Sequence, residues 1–455
     1  MKKIFALALA VVMAAGVLAS CGSEDSSAAP SNTTAKGDAP VEEQPGDGSD
    51  AEGGDSTAPA SDDGLKAPVS DSPIDVTQGC TENMLIRSVH FEGDTTRLAA
   101  KLKEAMDPDA KKLTNIVFLG DSITAGSTVS NSKYAYVNQF EKWWKENVSV
   151  LYKIHNEGIG ATDSYYGTHR VERDVYSDEP DIIFVEFIND AGNEEFYKET
   201  MDSLIRKCLA YESKPAVVLL EMSLEGGGNA QDSHAPVGEK YGVPVLSYHD
   251  AIYPEVEAGN FLFTTSKRKP ADKDGVSSDG THPNDWGHTM VCQIISNFLQ
   301  GVIDNIDSYD TANIPEFDPE SESLTGDLYR YGKVSDSTTG DITVTSLGDF
   351  TETSTPYTFP NGWSTGKGGT ITFEMEFRNL GMVYYKTVDG KTGIAKVNID
   401  GEDVADVNGD FTGGWGNYGT NIEVYRSDET AKHTVTVTVE PGDQDDFEVL
   451  AWLIS

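Results

Sequence analysis

The chain has 455 residues, more than one compact core of ordinary size accommodates, so two folded units plus linking sequence are expected. With 34 Lys+Arg against 75 Asp+Glu the formal net charge is -41, a field that repels phosphate backbones and anionic lipid headgroups and excludes nucleic acid as a partner.

The chain opens on MKKIFALALAVVMAAGVLASC, with two lysines, an apolar run of export-signal length and small residues before Cys21. The run is too short and wrongly flanked for a stable membrane span, so residues 1–21 read as a cleaved signal. LASC resembles the bacterial lipobox, which implies diacylation of Cys21, cleavage before it, and a mature protein tethered outside the cytoplasmic membrane. From Gly22 to about Lys66 there are eleven acidic residues, two lysines and no aromatic residue. Such a segment cannot bury enough apolar surface to offset the entropy of ordering, and residues 22–74 are expected to be a solvated tether. Beyond Cys21 stand Cys80, Cys208 and Cys292; three thiols cannot pair completely, and their disulfide status stays open.

Over residues 75–305 apolar runs alternate with helical patterns. NIVFLG, VLYKIHNEG, DIIFVEF, AVVLLEMS and VPVLSY read as buried strands; SKYAYVNQFEKWWKE and EEFYKETMDSLIRKCLAYE read as helices between them. This alternation predicts a five-stranded parallel sheet covered by helices on both faces, a three-layer α/β/α unit of flavodoxin-like architecture whose sites form at the carboxyl ends of the strands.

Residues 306–323 form an acidic, proline-containing connector. From residue 324 to 455 the pattern changes to period-two runs separated by Gly and Asn turns, among them GTITFEMEFRN, KHTVTVTVEPG and FEVLAWLIS. Strands at this spacing predict an antiparallel β-sandwich, expected to fold as its own unit on a linker and to hold its neighbour near a polymer. Trp363, Trp415 and Tyr418 lie in its Gly-rich loops, where they can stack on sugar rings or pack as core.

The chemistry concentrates at strand ends. GDSITAG places Ser122 just past the first strand, at the expected start of a helix whose free N–H groups can stabilise developing negative charge. NEGIGATDS ends the second strand with Gly160 and Ala161, small enough for backbone to approach a ligand. EFINDAGN ends the third and offers the Asn189 amide. DGTHPNDWGH follows the fifth and contains an Asp-x-x-His. A serine, backbone donors, an amide donor and an acid–histidine pair are the parts that acyl transfer requires.

In all four blocks and their order the sequence resembles the SGNH hydrolases, the GDSL esterase family, over about residues 116–299. The resemblance implies a serine nucleophile at Ser122, oxyanion donors at Ser122, Gly160 or Ala161 and Asn189, a base at His282 and its orienting carboxylate at Asp279, with no cofactor and no metal. Asp121 and His234 are expected to line the substrate cleft. Two departures are visible: the first motif reads GDSI, and Phe187 stands where the family usually has the glycine of Gly-x-Asn-Asp.

Histidine with an ordinary pKa of roughly 6.5 can take the serine proton at neutral pH. His282 has an aspartate three residues before it; His288, in the first turn of the next helix, is expected to pack or cap. A metal set of Asp279, His282, Asp285 and His288 would leave Ser122 and Asn189 without a role. The sum is an exported serine esterase removing acetyl or other small acyl groups from carbohydrate. The alternatives are an O-acyl esterase acting on lipid or peptidoglycan, and a non-catalytic glycan-binding lipoprotein.

Overall fold

The computed structural model describes residues 65–354 and 358–455. The expected export signal, Cys21 and the expected tether up to residue 64 lie outside the described residues. Ten residues assigned to the tether, 65–74, are ordered. Ala67 is buried, the Arg87 guanidinium donates to the carbonyls of Ala67 and Pro68, and the Ser70 N–H donates to the Glu255 carboxylate. Among the described residues no helix is long and apolar enough to cross a membrane.

All five expected strands are present: β2 (Thr114–Gly120), β3 (Tyr152–Gly158), β4 (Ile182–Glu186), β5 (Ala216–Glu221) and β6 (Val245–Ser247). They pair in parallel in the order β6-β5-β4-β2-β3, and a short β1 (Val89–Phe91) adds a sixth, antiparallel edge strand beside β6. The chain steps outward from β2 to β3 and then returns to β4, so a crevice opens at the carboxyl ends of these strands. Side chains alternate between the sheet's faces. Ile116, Phe118, Phe184 and Val218 join one core cluster with the helices spanning Thr96–Met106, Tyr136–Asn147 and Asp285–Asp304. Val117, Leu119, Val185 and Leu219 join a second with those spanning Ser164–Asp174, Glu194–Ala210 and Gln231–Tyr241. Glycine closes β3 because a Cβ on Gly158 would come 2.3 Å from the Ala125 nitrogen, in the turn that carries Ser122.

Leu262–Thr264 and Gly275–Ser277 pair in parallel as a small separate sheet, and the strands from Lys333 onward form an antiparallel sheet that folds over on itself as a sandwich. Two long strands, Gly369–Lys386 and Tyr418–Val439, carry both layers, and their pairing register shifts between Phe377 and Asn379 and again between Leu380 and Gly381. Such bulges let one strand bend from one layer into the other.

The sandwich is not a separate body on a free linker. In the connector, Phe317 packs against the second core cluster, Arg97 donates to the Pro315 carbonyl, and Arg206 donates to the carbonyls of Pro319 and Ser321. Tyr165, Tyr166, Tyr329, Val383, Leu450, Ala451 and Leu453 then form one buried cluster shared by the two units. The expectation of independent cores fails because the strand Asp446–Ile454 buries both faces. Phe447, Val449 and Trp452 enter the sandwich core, while Leu450, Ala451 and Leu453 face the α/β unit.

Candidate active site

After β2 the chain turns through a series of tight hydrogen bonds rather than the helix expected there. The Ile123 N–H donates to Asp121 Oδ1 (2.9 Å), the Ala125 N–H to the Asp121 carbonyl (3.0 Å) and the Ser127 N–H to the Ser122 carbonyl (2.9 Å). The first α-helix on this path starts only at Tyr136. Ser122 therefore heads a turn and is half-buried there.

Ser122 Oγ lies 2.9 Å from His282 Nε2, and His282 Nδ1 lies 2.8 Å from Asp279 Oδ2. With Nδ1–H donated to the carboxylate, the Nε2 lone pair is left facing the serine hydroxyl. Asp279 also accepts the N–H groups of Thr281 (2.9 Å) and His282 (2.8 Å) on Oδ1. Burial alone would raise its pKa, but the His282 ring and these two N–H groups outweigh it and hold the carboxyl at about 2, so it stays ionised at neutral pH. Ser277 holds the loop, donating its hydroxyl to the His282 carbonyl (2.7 Å).

The other two blocks flank the serine. A Cβ on Gly160 would lie 3.6 Å from Ser122 Cβ, so this backbone runs directly against the serine. Ala161 has a φ of 59°, in the left-handed region that costs an L-residue roughly 1–2 kcal/mol. Its surroundings hold it there: Thr162 Oγ1 donates to the Ile159 carbonyl (2.6 Å), and Asn189 Nδ2 donates to the Thr162 carbonyl (2.9 Å). An amide nitrogen has two hydrogens, and the second remains for a ligand.

Asp121 and His234, expected to line the cleft, are sealed inside the unit. Asp121 accepts the Ile123 N–H and, on Oδ2, the Asn189 N–H (3.2 Å), so it ties the first and third blocks together. Burial raises its carboxyl to about 6 against the pull of those donors. His234 lies between two carboxylates, with Nδ1 3.0 Å from Glu221 and Nε2 2.8 Å from Asp190. Burial opposes the charged imidazole, yet the pair of acids prevails and raises its pKa to about 10. Both residues are scaffolding because Asp121, just past β2, and His234, within the helix Gln231–Tyr241, are covered on every side, which nothing in their local sequence reveals.

His288 is fully buried. Its Nδ1 accepts the Tyr136 N–H (3.3 Å), its ring stacks on Tyr136, and burial lowers its pKa to about 4. Asp285 accepts both the N–H (2.7 Å) and the hydroxyl of Ser130. Of the four side chains of the metal alternative, Asp279 and His282 thus pair with each other while Asp285 and His288 take other partners, and no metal-holding group of three His, Cys, Asp or Glu occurs among the described residues. Phe187 does not enter the cleft; its ring fills the space over Gly167, where a Cβ would come within 2.6 Å of it. Cys80, Cys208 and Cys292 are all free thiols.

One positioning side chain escaped the sequence reading. Arg170 is fully buried and donates to the carbonyls of Gly120 (2.9 Å) and Glu157 (2.8 Å), joining the ends of β2 and β3. The sequence carries no signal for it: the first eight residues of its helix, SYYGTHRV, mix polar and apolar side chains, and all are buried only in the packed unit.

No family model and no curated protein matches the sequence. Among solved structures, a two-domain esterase (CEX) active on acetylated mannans aligns with a TM-score of 0.71 at 28% sequence identity, over 82% of this chain and 98% of that one. A structure of the same description co-crystallized with mannopentaose aligns at 0.70 and 27% identity, over 82% of this chain and 97% of that one. Such coverage is too large for either unit alone. The fold, the hydrogen-bonded Ser122, His282 and Asp279 and this two-unit match are those of a protein similar to the SGNH hydrolases, with an added antiparallel module. It is a carboxylic ester hydrolase.

Proposed function

We propose that this chain removes acetyl or other small acyl groups from carbohydrate by a Ser-His-Asp acyl-enzyme mechanism, outside the cytoplasm and anchored through lipidated Cys21. The observation that carries the mechanism is the unbroken line from Ser122 Oγ through His282 to Asp279, at 2.9 Å and 2.8 Å. Ser122 Oγ attacks the acyl carbon while its proton passes to His282 Nε2. The carbonyl oxygen becomes an oxyanion facing the backbone N–H groups of Ser122 and of Gly160 or Ala161, and the Asn189 amide. As the intermediate collapses, the sugar oxygen leaves with the proton held by His282. Water then attacks the acyl-enzyme, giving a proton to the same Nε2, and the carboxylic acid product departs as that proton returns to Ser122, ionising in solvent.

The carbohydrate assignment draws on the mannan-active neighbour and on one surface feature. Trp415 is 72% exposed and stacks on Tyr418 with ring centroids 4.6 Å apart, presenting a flat apolar face of the kind that pairs with a sugar ring. Trp363, by contrast, is buried in the module's core. The test is acetate released from a panel of acetylated mannan, xylan and pectin, beside hydrolysis of p-nitrophenyl esters of rising chain length. Release from at least one polysaccharide and preference for acetate are expected. Good turnover of long-chain esters with no release from any polysaccharide would replace the carbohydrate reading with a lipid one.

A further inference from the structure

We propose that Asn421, on the accessory module, is a positioning residue for ester hydrolysis: through Asp163 it holds the loop whose backbone faces the oxyanion. The inference rests on the roles given above to Ser122 and to the Gly160–Ala161 backbone.

Asn421 Nδ2 donates to both carboxylate oxygens of Asp163, at 2.9 Å and 3.0 Å. Asp163 is the N-cap of the helix Ser164–Asp174, accepting the Tyr166 N–H at 3.0 Å, and it also accepts the Tyr197 hydroxyl at 3.3 Å. It lies two residues past Ala161, the strained link of the loop. Burial and then the neighbouring Asp190 carboxylate raise the Asp163 pKa to about 6, against the donors from Tyr166, Asn421 and Tyr197. Removing one donor therefore weakens the cap at the end of the loop.

The loop between them is short and doubly committed. Thr162 accepts from the Asn189 amide on its carbonyl, so a shift of Asp163 reaches both the Ala161 peptide and the side chain of Asn189. Those are donors from two different blocks, and they move together through one peptide unit. A strained left-handed alanine persists only while its surroundings over-determine it.

Asn421 is itself firmly held. It pairs with Val383, a member of the cluster shared by the two units, and in the same strand Gly381 allows contact so close that a Cβ there would lie 2.4 Å from Tyr165 Oη. The module thus reaches the reaction through a side chain that touches no reacting atom.

The test uses the full chain with Asn421→Ala and Asn421→Asp, the latter keeping shape and replacing the donor by an acceptor. The inhibition constant of a small alkyl boronic acid, which forms a tetrahedral adduct on serine, does not depend on the fraction of protein that is active. Removing an oxyanion donor outright costs about 10²–10³ in kcat, so displacing donors should weaken boronate inhibition and lower kcat about tenfold or more, with KM for p-nitrophenyl acetate within twofold. Asn421→Asp should be at least as impaired as Asn421→Ala. Unchanged boronate inhibition in either folded variant overturns the proposal, as does full activity of Asn421→Asp. If both variants fail to fold, Asn421→Gln decides: several-fold weaker inhibition supports positioning and wild-type inhibition overturns it. A wild-type protein without ester turnover, or a Ser122→Ala variant with full turnover, would instead strike the reading of the site itself.

Discussion

Asp279, His282 and Ser122 stand in line at the edge of the sheet with the imidazole 21% exposed, whereas Glu221, His234 and Asp190 stand in line with an imidazole only 2% exposed. Both lines join a histidine to a carboxylate, and they differ in what lies on the far side of the ring. A hydroxyl there leaves one nitrogen with a lone pair, so a proton can arrive and depart. A second carboxylate there requires both nitrogens to donate, so the proton is locked in, and the raised pKa of about 10 expresses that. The first line is suited to chemistry. The second joins the ends of β4 and β5 to the helix Gln231–Tyr241 and fixes Asp190 beside Asn189.

Substitution should separate the two lines most sharply by rate. Ser122→Ala and His282→Ala should each lose about three decades or more of kcat with little change in melting temperature. Near-normal turnover by either purified, folded variant would end the assignment of the first line. His234→Ala should do the opposite. It leaves two buried carboxylates without their counter-charge, a loss of about 3–5 kcal/mol in urea unfolding, while the folded fraction keeps kcat within tenfold. A stable His234→Ala protein with a hundredfold slower rate would mean that the second line takes part in the reaction.

His288 supplies a milder control, six residues from His282. His288→Ala abandons the buried Tyr136 N–H and the Ser127 carbonyl, so about 1–3 kcal/mol of stability should go and kcat should hold. A rate loss matching that of His282→Ala would contradict the separation of the two.

The smallest effect concerns pH. His234 binds its proton more tightly when folded, so its stabilisation is complete below the unfolded value of about 6.5 and is lost as pH climbs through about 10. Asp121 and Asp163, raised to about 6, likewise hold protons in the folded chain that the unfolded chain releases, so stability falls further as pH rises from about 4 to 6. Asp279, lowered to about 2, acts in reverse: its contribution is present above about 4 and lost on acidification toward 2. Melting temperature should therefore peak at mildly acidic pH and fall as pH climbs toward 10. A melting temperature that holds level from neutral pH up to about 10 would show that His234 does not carry a locked charge.

The first line was legible in the sequence because its parts are short-range: a serine two residues past a strand motif, and an aspartate three residues before a histidine. The five parallel strands were legible as apolar runs. The β1 strand, three residues long, is too brief for any periodicity to reveal. The roles of Asp121 and His234 were not visible because burial from several sides is a property of the packed unit. The docking of the module was visible and misread. TITFEMEF alternates, with Ile371, Phe373, Met375 and Phe377 in the core and polar residues between them, as a strand with one wet face should. VLAWLI does not alternate, and a strand without alternation has no wet face.

That shared strand also bears on ancestry. A module tied to its neighbour by a flexible segment can be traded between genes intact. Here a transplanted module would arrive with Leu450, Ala451 and Leu453 bare, and the hydrolase left behind would expose Tyr165 and Tyr166. The two halves are constrained to change in concert, so substitutions at this seam should track one another across descent more closely than those at the module's outer face.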